Sequence, residues 1–135
     1  MLEARTRLRV RFGETDAVGV VFYPNYYTFF DLAADALLRE AGYPPAEVLR
    51  NTGFSFPIVQ SGARIFAPLF HDDEIEIASR VAEVRTRGFR VEHEIFKSGN
   101  RIAEGFEIRV HARRAGDWLE AVALPEAVRK ALTEG

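Results

Sequence analysis

The chain contains no cysteine, which removes disulfides, thiolate metal sites and cysteine nucleophiles together. Nowhere does an uncharged apolar stretch approach the roughly 20 residues of a membrane-spanning helix. Met1-Leu2-Glu3-Ala4-Arg5-Thr6-Arg7 has no apolar run behind its charges, so no signal peptide is expected. Arginine and glutamate are interspersed, the net charge is −2 and no basic block stands out, so nucleic acid is not an expected partner. His71, His93 and His111 are well separated and lack the His-x-x-x-His spacing of a metal site. Ser55, Ser61, Ser79 and Ser98 fall in no nucleophile elbow, and no glycine-rich phosphate loop is present. No repeat, linker or low-complexity segment appears. The absence of cysteine fits a cytoplasmic location, and the chemistry left as a candidate is that of a carboxylate.

What is present is a 135-residue chain with 47% apolar residues, enough for one domain over 1–135 with a real core. Residues 4–12 alternate, with Leu8, Val10 and Phe12 on one face and Arg7, Arg9 and Arg11 on the other. That is the period of a half-buried strand with a solvated arginine face. Residues 24–41 read as a helix whose polar stripe is Thr28, Asp31, Asp35 and Arg39. The rest of its surface is apolar, so it should be enclosed on most sides, with alanines that let a sheet approach closely. Gly42 with Pro44-Pro45 ends it, and 45–51 form a second short helix.

From Phe54 the pattern turns to strands. Residues 54–66 should form one, with a bulge or bend at Ser61-Gly62. In 74–84, Ile75, Ile77, Ser79 and Val81 share a face. Arg85-Thr86-Arg87-Gly88 is a hairpin turn, after which Phe89, Val91, His93 and Ile95 point inward, His93 as a satisfied core residue. Ser98-Gly99-Asn100 is another tight turn. Ile102, Phe106, Ile108 and Val110 are expected inward in 101–112. Asp117 to Ala121 adds an edge segment, and Pro125 to Leu132 a terminal helix. A long buried helix followed by consecutive hairpins predicts an α+β domain: one curved antiparallel sheet wrapped round the helix. One sheet does not cover such a helix fully, so association with a second subunit is expected.

The stretch between the first strand and the long helix, residues 12–27, gathers two carboxylates (Glu14, Asp16), two glycines (Gly13, Gly19) and several aromatic rings. Pro24 suits the first helical position. The free amides of that helix start and its dipole favour negative charge nearby. A carboxylate close to such donors is a plausible site for acyl transfer. Taken alone, Asp16 also reads as a turn aspartate bonding its own backbone. Glu14 is its rival, or a partner sharing one proton. Phe22, Tyr23, Phe54 and Phe56 either line an aromatic slot or belong to the core. Arg85 and Arg87 either meet the phosphates of a large anionic ligand or form a solvated turn.

The run Phe12-Gly13-Glu14-Thr15-Asp16-Ala17-Val18-Gly19-Val20-Val21-Phe22-Tyr23-Pro24-Asn25-Tyr26 strongly resembles the 4-hydroxybenzoyl-CoA thioesterase family of hotdog-fold acyl-CoA thioesterases. The likeness continues through Phe66-Ala67-Pro68, Asp72-Asp73-Glu74-Ile75 and Leu124-Pro125. The resemblance implies the hotdog fold, a long helix wrapped by an antiparallel sheet. It implies that Asp16 is the catalytic carboxylate, as nucleophile or general base, and that the Tyr23 backbone N–H binds the thioester oxygen. Phe22 and Pro24 fall beside that position as substrate-binding residues. Arg85, Arg87 and Gly88 match a region that contacts the CoA nucleotide. It further implies dimers that pair into homotetramers, an acyl-CoA substrate and no cofactor, CoA being part of the substrate. Rival readings are a hotdog module that binds acyl thioesters without cleaving them, and a hotdog dehydratase, whose usual His-plus-carboxylate arrangement is not evident.

Overall fold

The alternating N-terminal run folds as β1 (Glu3–Arg9), one edge of a five-stranded sheet. The computed structural model describes all of residues 1–135. A single 3-10 turn at Phe12–Glu14 follows, then the long helix α1 (Asn25–Glu40) and the short helix α2 (Pro45–Thr52), closed by Gly53 at φ 77°. The strands are β2 (Phe54–Ser55), β3 (Ile58–Ile65), β4 (Glu74–Val84), β5 (Gly88–Lys97), β6 (Asn100–Val110), β7 (Ala112–Ala115) and β8 (Trp118–Ala121). Helix α3 (Glu126–Glu134) ends the chain. The large sheet runs β1-β4-β5-β6-β3, antiparallel throughout, and a small sheet runs β2-β7-β8. The class is α+β and the architecture is the hotdog fold. No helix is long and apolar enough to cross a membrane.

Helix α1 lies on one face of the large sheet because its apolar side is nearly continuous. Tyr26, Phe29, Phe30, Ala33, Ala34, Leu37 and Leu38 are all buried. Ala33 and Ala34 are fully covered, as close approach to the sheet requires. Burying each large side chain here contributes roughly 1.5–3 kcal/mol. The core divides along the helix. One cluster joins Phe29 and Phe30 to Val21, Leu69, Ile75, Ile77 and Ile95; the other joins Leu37 and Leu38 to Val81, Phe89, Leu124 and Leu132. The polar stripe stays open, and Tyr27 and Leu32 stand exposed beside it.

In β4 and β5 the inward residues are the expected ones, with Ile75, Ile77, Ser79 and Val81 buried opposite Ile95, His93 and Val91. Ser98 and Gly99, at φ 51° and 79°, make the tight turn into β6. Two expectations are corrected. The irregularity in β3 lies between Ile58 and Gln60, not at Ser61-Gly62. Gly62 is small for another reason: a Cβ there would sit 2.6 Å from the Phe106 ring.

The second correction concerns the phase of β6. Ala103, Gly105, Glu107 and Arg109 face α1, paired with Ile95, His93, Val91 and Phe89. Phe106 and Ile108 therefore lie on the outer face, where the Arg90 guanidinium stands 4.0 Å over the Phe106 ring. Ile102 is buried as well as Ala103, because the β5–β6 register shifts between Ile95 and Phe96. The arginines of β1 are not merely solvated: Arg5 and Arg7 pair with Glu76, and Arg9 with Glu74, across to β4.

Candidate active site

The loop before α1 closes on itself as a small hairpin. Thr15 and Val21 form a β-bridge, Phe22 N–H donates to Glu14 O at 2.9 Å, and Asp16 N–H donates to Val20 O at 2.9 Å. Its turn is completed by Gly19 N–H to Asp16 O at 3.0 Å, with Gly19 at φ 95°, a conformation that side chains resist. A second bridge, Val20 to Phe70, and Val21 N–H to Leu69 O at 2.8 Å anchor this hairpin to the segment entering β4. Asn25 clamps the helix start by donating from Nδ2 to Glu14 O at 2.8 Å. Pro24 caps α1 with helical angles (φ −63°, ψ −21°), one residue before the first helical turn.

The two carboxylates of this loop have different fates. Glu14 is buried, and both of its oxygens are taken by Arg11: backbone N–H at 2.7 Å and guanidinium at 3.0 Å. Both bonds are donated by Arg11, and the Glu14 N–H returns one to the Arg11 carbonyl at 3.0 Å, which closes the 3-10 turn. This arrangement leaves no oxygen for a proton shared with Asp16. Asp16 is half-exposed, and its Oδ1 accepts from Val18 N–H at 2.9 Å, the local turn bond expected of a loop aspartate. Its second oxygen has no protein partner. At the other side of the hairpin the Tyr23 N–H makes no hydrogen bond, whereas its C=O accepts from Tyr26 at 3.2 Å. The free oxygen and the free N–H are two of the loop's open polar groups; the Ala17 N–H is likewise unpaired. Phe22 and Tyr23 lie exposed with ring centroids 5.2 Å apart.

The other sequence candidates lie elsewhere. Phe56 is buried against Phe89, and Phe54 stacks on His111 at 4.5 Å. Both belong to the opposite end of the sheet, so no slot formed by all four rings exists within one chain. The Arg85–Gly88 turn is at that opposite end too, across the eleven residues of β4, a span of about 35 Å. Arg85 is held to Glu83 at 3.0 Å, and this hydrogen bond and charge raise its already high pKa. Arg87 is exposed and has no side-chain partner. Gly88 is buried because a Cβ there would meet Arg109 O at 2.1 Å; its small size is a packing requirement. Two surface depressions of about 740 and 710 Å³ lie on the outer sheet face among paired arginines and glutamates, and neither includes Asp16 or Tyr23.

A polar cluster that the sequence did not announce lies beneath α1. Ser79 Oγ is 2.7 Å from His93 Nδ1, and His93 Nε2 is 2.8 Å from Glu107 Oε1. Arg109 donates to Glu107 Oε2 at 3.0 Å, to Asp31 Oδ1 at 3.0 Å and to Phe56 O at 2.9 Å. Phe30 is stacked flat on His93 at 5.1 Å. His93 is thus the satisfied core residue expected. The inverted phase of β6 hid its partners; a glutamate and an arginine two apart, both opposite a buried histidine's strand, were the available signal.

The chain matches the family profile described as the Thioesterase-like superfamily over residues 10–132. It belongs to that family. Among relatives of this thioesterase-family chain is the 4-hydroxybenzoyl-CoA thioesterase of Pseudomonas sp. (strain CBS-3), 28% identical over 124 residues, covering 87% of this chain and 88% of the relative. A solved gentisyl-coenzyme A thioesterase superposes with TM-score 0.85 at 37% identity, covering 96% of this chain and 98% of the other. A mutant 4-hydroxybenzoyl-CoA thioesterase complexed with 4-hydroxybenzoyl-CoA superposes with TM-score 0.90 at 26% identity, covering 98% and 100%. The chain is therefore an enzyme of the thioesterase class.

Proposed function

We propose that this protein hydrolyses an acyl-CoA thioester to a carboxylic acid and free CoA, with a hydroxylated aromatic acyl group as the substrate class. The observation that carries the reading is the pair of open groups on one small hairpin: the free oxygen of Asp16 and the free N–H of Tyr23 at the start of α1. The acyl class is supported by the relatives, which are named for 4-hydroxybenzoyl-CoA and gentisyl-CoA.

The chemistry follows from where charge moves. As the thioester carbonyl becomes tetrahedral its oxygen gains negative charge. The Tyr23 N–H, at the positive end of the α1 dipole, is preorganised to receive it. Asp16 either attacks the carbonyl, giving a mixed anhydride that water opens, or takes a proton from the attacking water. The Val18 N–H bond fixes the carboxylate while leaving its second oxygen free. Incorporation of labelled oxygen into Asp16 in a single turnover marks the nucleophilic route. Phe22 and Pro24 would flank the acyl group, and Arg85 and Arg87 would meet the CoA nucleotide.

Those two sets of residues lie at opposite ends of β4 in one chain, so the proposed site is completed by a second copy. The large sheet has two edges. β1 is guarded by Arg5, Arg7 and Arg9, whereas β3 exposes Ile58, Val59 and Ile65, with Phe66 just beyond it. An unguarded edge of this kind pairs readily. Two-fold antiparallel pairing of β3 sets the Ile65 end of one sheet against the Ile58 end of the other. The Asp16 hairpin of one protomer then adjoins the Arg85–Gly88 turn of its partner. Further pairing of such dimers gives a homotetramer, and a CoA-borne substrate is consistent with a cytoplasmic location.

A free-thiol assay across hydroxybenzoyl, gentisyl, unsubstituted aryl and aliphatic acyl-CoAs tests the reading, with mass spectrometry of the products. Thiol release fastest with hydroxylated aryl esters is the expected result. Tight binding without turnover on any ester would make the protein an acyl-thioester-binding module, and loss of water from the acyl group would make it a dehydratase.

A further inference from the structure

The β7–β8 hairpin carries the chain's single tryptophan in an unusual setting. Trp118 is 76% exposed, on an edge strand whose four residues are all exposed. Its cross-strand neighbour is Ala115, too small to cover an indole. Register places Phe54, Arg113, Glu120 and Trp118 on the same face of the small sheet. Arg113 stands 6.0 Å over the Phe54 ring and pairs with Glu120 at 3.3 Å. One face thus presents an uncovered indole beside a guanidinium and a carboxylate that pair with each other.

The hairpin is fastened directly to the Arg85–Gly88 turn. His111 N–H donates to Arg87 O at 2.7 Å, Leu124 N–H donates to Thr86 O at 2.9 Å, and the Arg129 guanidinium caps the Arg85 and Thr86 carbonyls. The local charge also differs from that of the outer sheet face, where arginines are matched to glutamates. Arg87 has no carboxylate partner, whereas Arg114 stands on the other face of the hairpin from Trp118, bonded to Gly116 O, and Arg129 is spent on the Arg85 and Thr86 carbonyls. An unpartnered Arg87 in the turn to which a hairpin bearing a bare indole is fastened fits a phosphorylated nucleotide: phosphate oxygens for the cation and a purine face for the ring.

We propose that Trp118 is the stacking platform for the adenine of CoA, with Arg113 and Glu120 beside it and Arg87 turned to the phosphates. This rests on the acyl-CoA reading above and adds to it a residue that holds the far end of the substrate. Base–aromatic stacking is sequence-tolerant and substantial; its loss on alanine substitution corresponds to about a ten-fold weaker binding. The platform should therefore act on KM for CoA esters and not on the acyl-transfer step.

Because Trp118 is the only tryptophan, intrinsic fluorescence reports on it alone. Titrating the full-length protein with CoA, with adenosine 3′,5′-bisphosphate and with pantetheine should quench the emission in the first two cases and not in the third. Trp118→Ala should raise KM for the acyl-CoA about ten-fold, with kcat and the KM for the same acyl group on pantetheine unmoved, and Trp118→Phe should recover most of the loss. An emission indifferent to CoA, under conditions where CoA inhibits hydrolysis competitively, would overturn the proposal. So would blue-shifted emission unresponsive to every ligand, which would mean that protein covers the indole. Quenching by pantetheine alone would place the other end of the substrate there and also overturn it. Failure to hydrolyse any thioester would count against the enzymatic reading, while the quenching titration would still decide the platform.

Discussion

Two regions of this molecule hold the residue types of a hydrolytic site, and only one leaves them usable. Under α1, Ser79, His93 and Glu107 are linked at 2.7 and 2.8 Å, spacing that by itself suggests a catalytic triad. The serine meets Nδ1 and the carboxylate Nε2, the reverse of the familiar arrangement. All three side chains are buried, Phe30 lies flat on the imidazole, and Arg109 occupies the remaining carboxylate oxygen. The serine is 3% exposed, and its hydroxyl is committed to the imidazole. In the loop before α1, by contrast, Asp16 spends one oxygen on its own turn and leaves the other open, on the same small hairpin that ends in the unused Tyr23 N–H. Satisfied polar groups build the fold; unsatisfied ones at the surface are available for chemistry. The same contrast recurs on a smaller scale between Glu14, fully engaged by Arg11, and Asp16 two residues later.

Breaking the buried cluster should give the largest change in stability. Glu107→Ala leaves Arg109 and His93 without their shared carboxylate and is expected to cost about 3–5 kcal/mol, read as a lowered midpoint in urea unfolding. A loss under about 1 kcal/mol, the range of a surface pair, would mean the cluster is not the desolvated network drawn here. Gly105→Ala tests the lid over it. A Cβ there would lie 2.3 Å from the Phe30 ring, and overpacking of this kind costs about 1–3 kcal/mol. Accelerated amide exchange in β5 and β6 should accompany it as Phe30 lifts from His93.

The smallest effect concerns Tyr26, which joins the Asp16 hairpin to the core. Burial raises its pKa above the ordinary 10.0, and a hydrogen bond with the Leu69 backbone partly opposes the rise. A phenol favoured in its neutral form in the folded state contributes stability that is complete below about pH 10 and is lost as pH climbs through its folded value. Thermal melts of the native protein and Tyr26→Phe should therefore keep a constant offset from pH 7 to 9, and above pH 10 the native protein should lose stability relative to the variant. A native protein that gains on the variant there would reverse the sign assigned.

Much of this was legible in the chain, for reasons that particular residues make clear. The helix read over 24–41 is observed at Asn25–Glu40 because its periodicity is strong and Gly42 and the prolines end it. The hairpin at Ser98-Gly99 was legible because positive φ angles demand such residues. The phase of β6 was not. Ile102, Phe106, Ile108 and Val110 outline an apolar face, yet the helix-facing row is Ala103, Gly105, Glu107 and Arg109. Periodicity assumes that charged side chains seek water; here Glu107 and Arg109 seek His93 and Asp31 instead, and Gly105 makes room for Phe30. Asp16 was legible as a candidate from its loop, and its free oxygen only from the hydrogen bonds. The distance between the Asp16 hairpin and the Arg85–Gly88 turn was invisible, since sequence does not say at which end of a sheet each turn falls.

The measurement that bears most directly on the comparison is Asp16→Asn, assayed for turnover on the best acyl-CoA and for unfolding free energy in the same preparation. Asparagine keeps the Oδ1 acceptor for Val18 N–H and removes the charge. Turnover is expected to fall about 10²–10⁴-fold, with stability unchanged within about 0.5 kcal/mol. Full turnover, or a loss of activity matched by unfolding, would contradict the assignment of Asp16 as the reactive carboxylate.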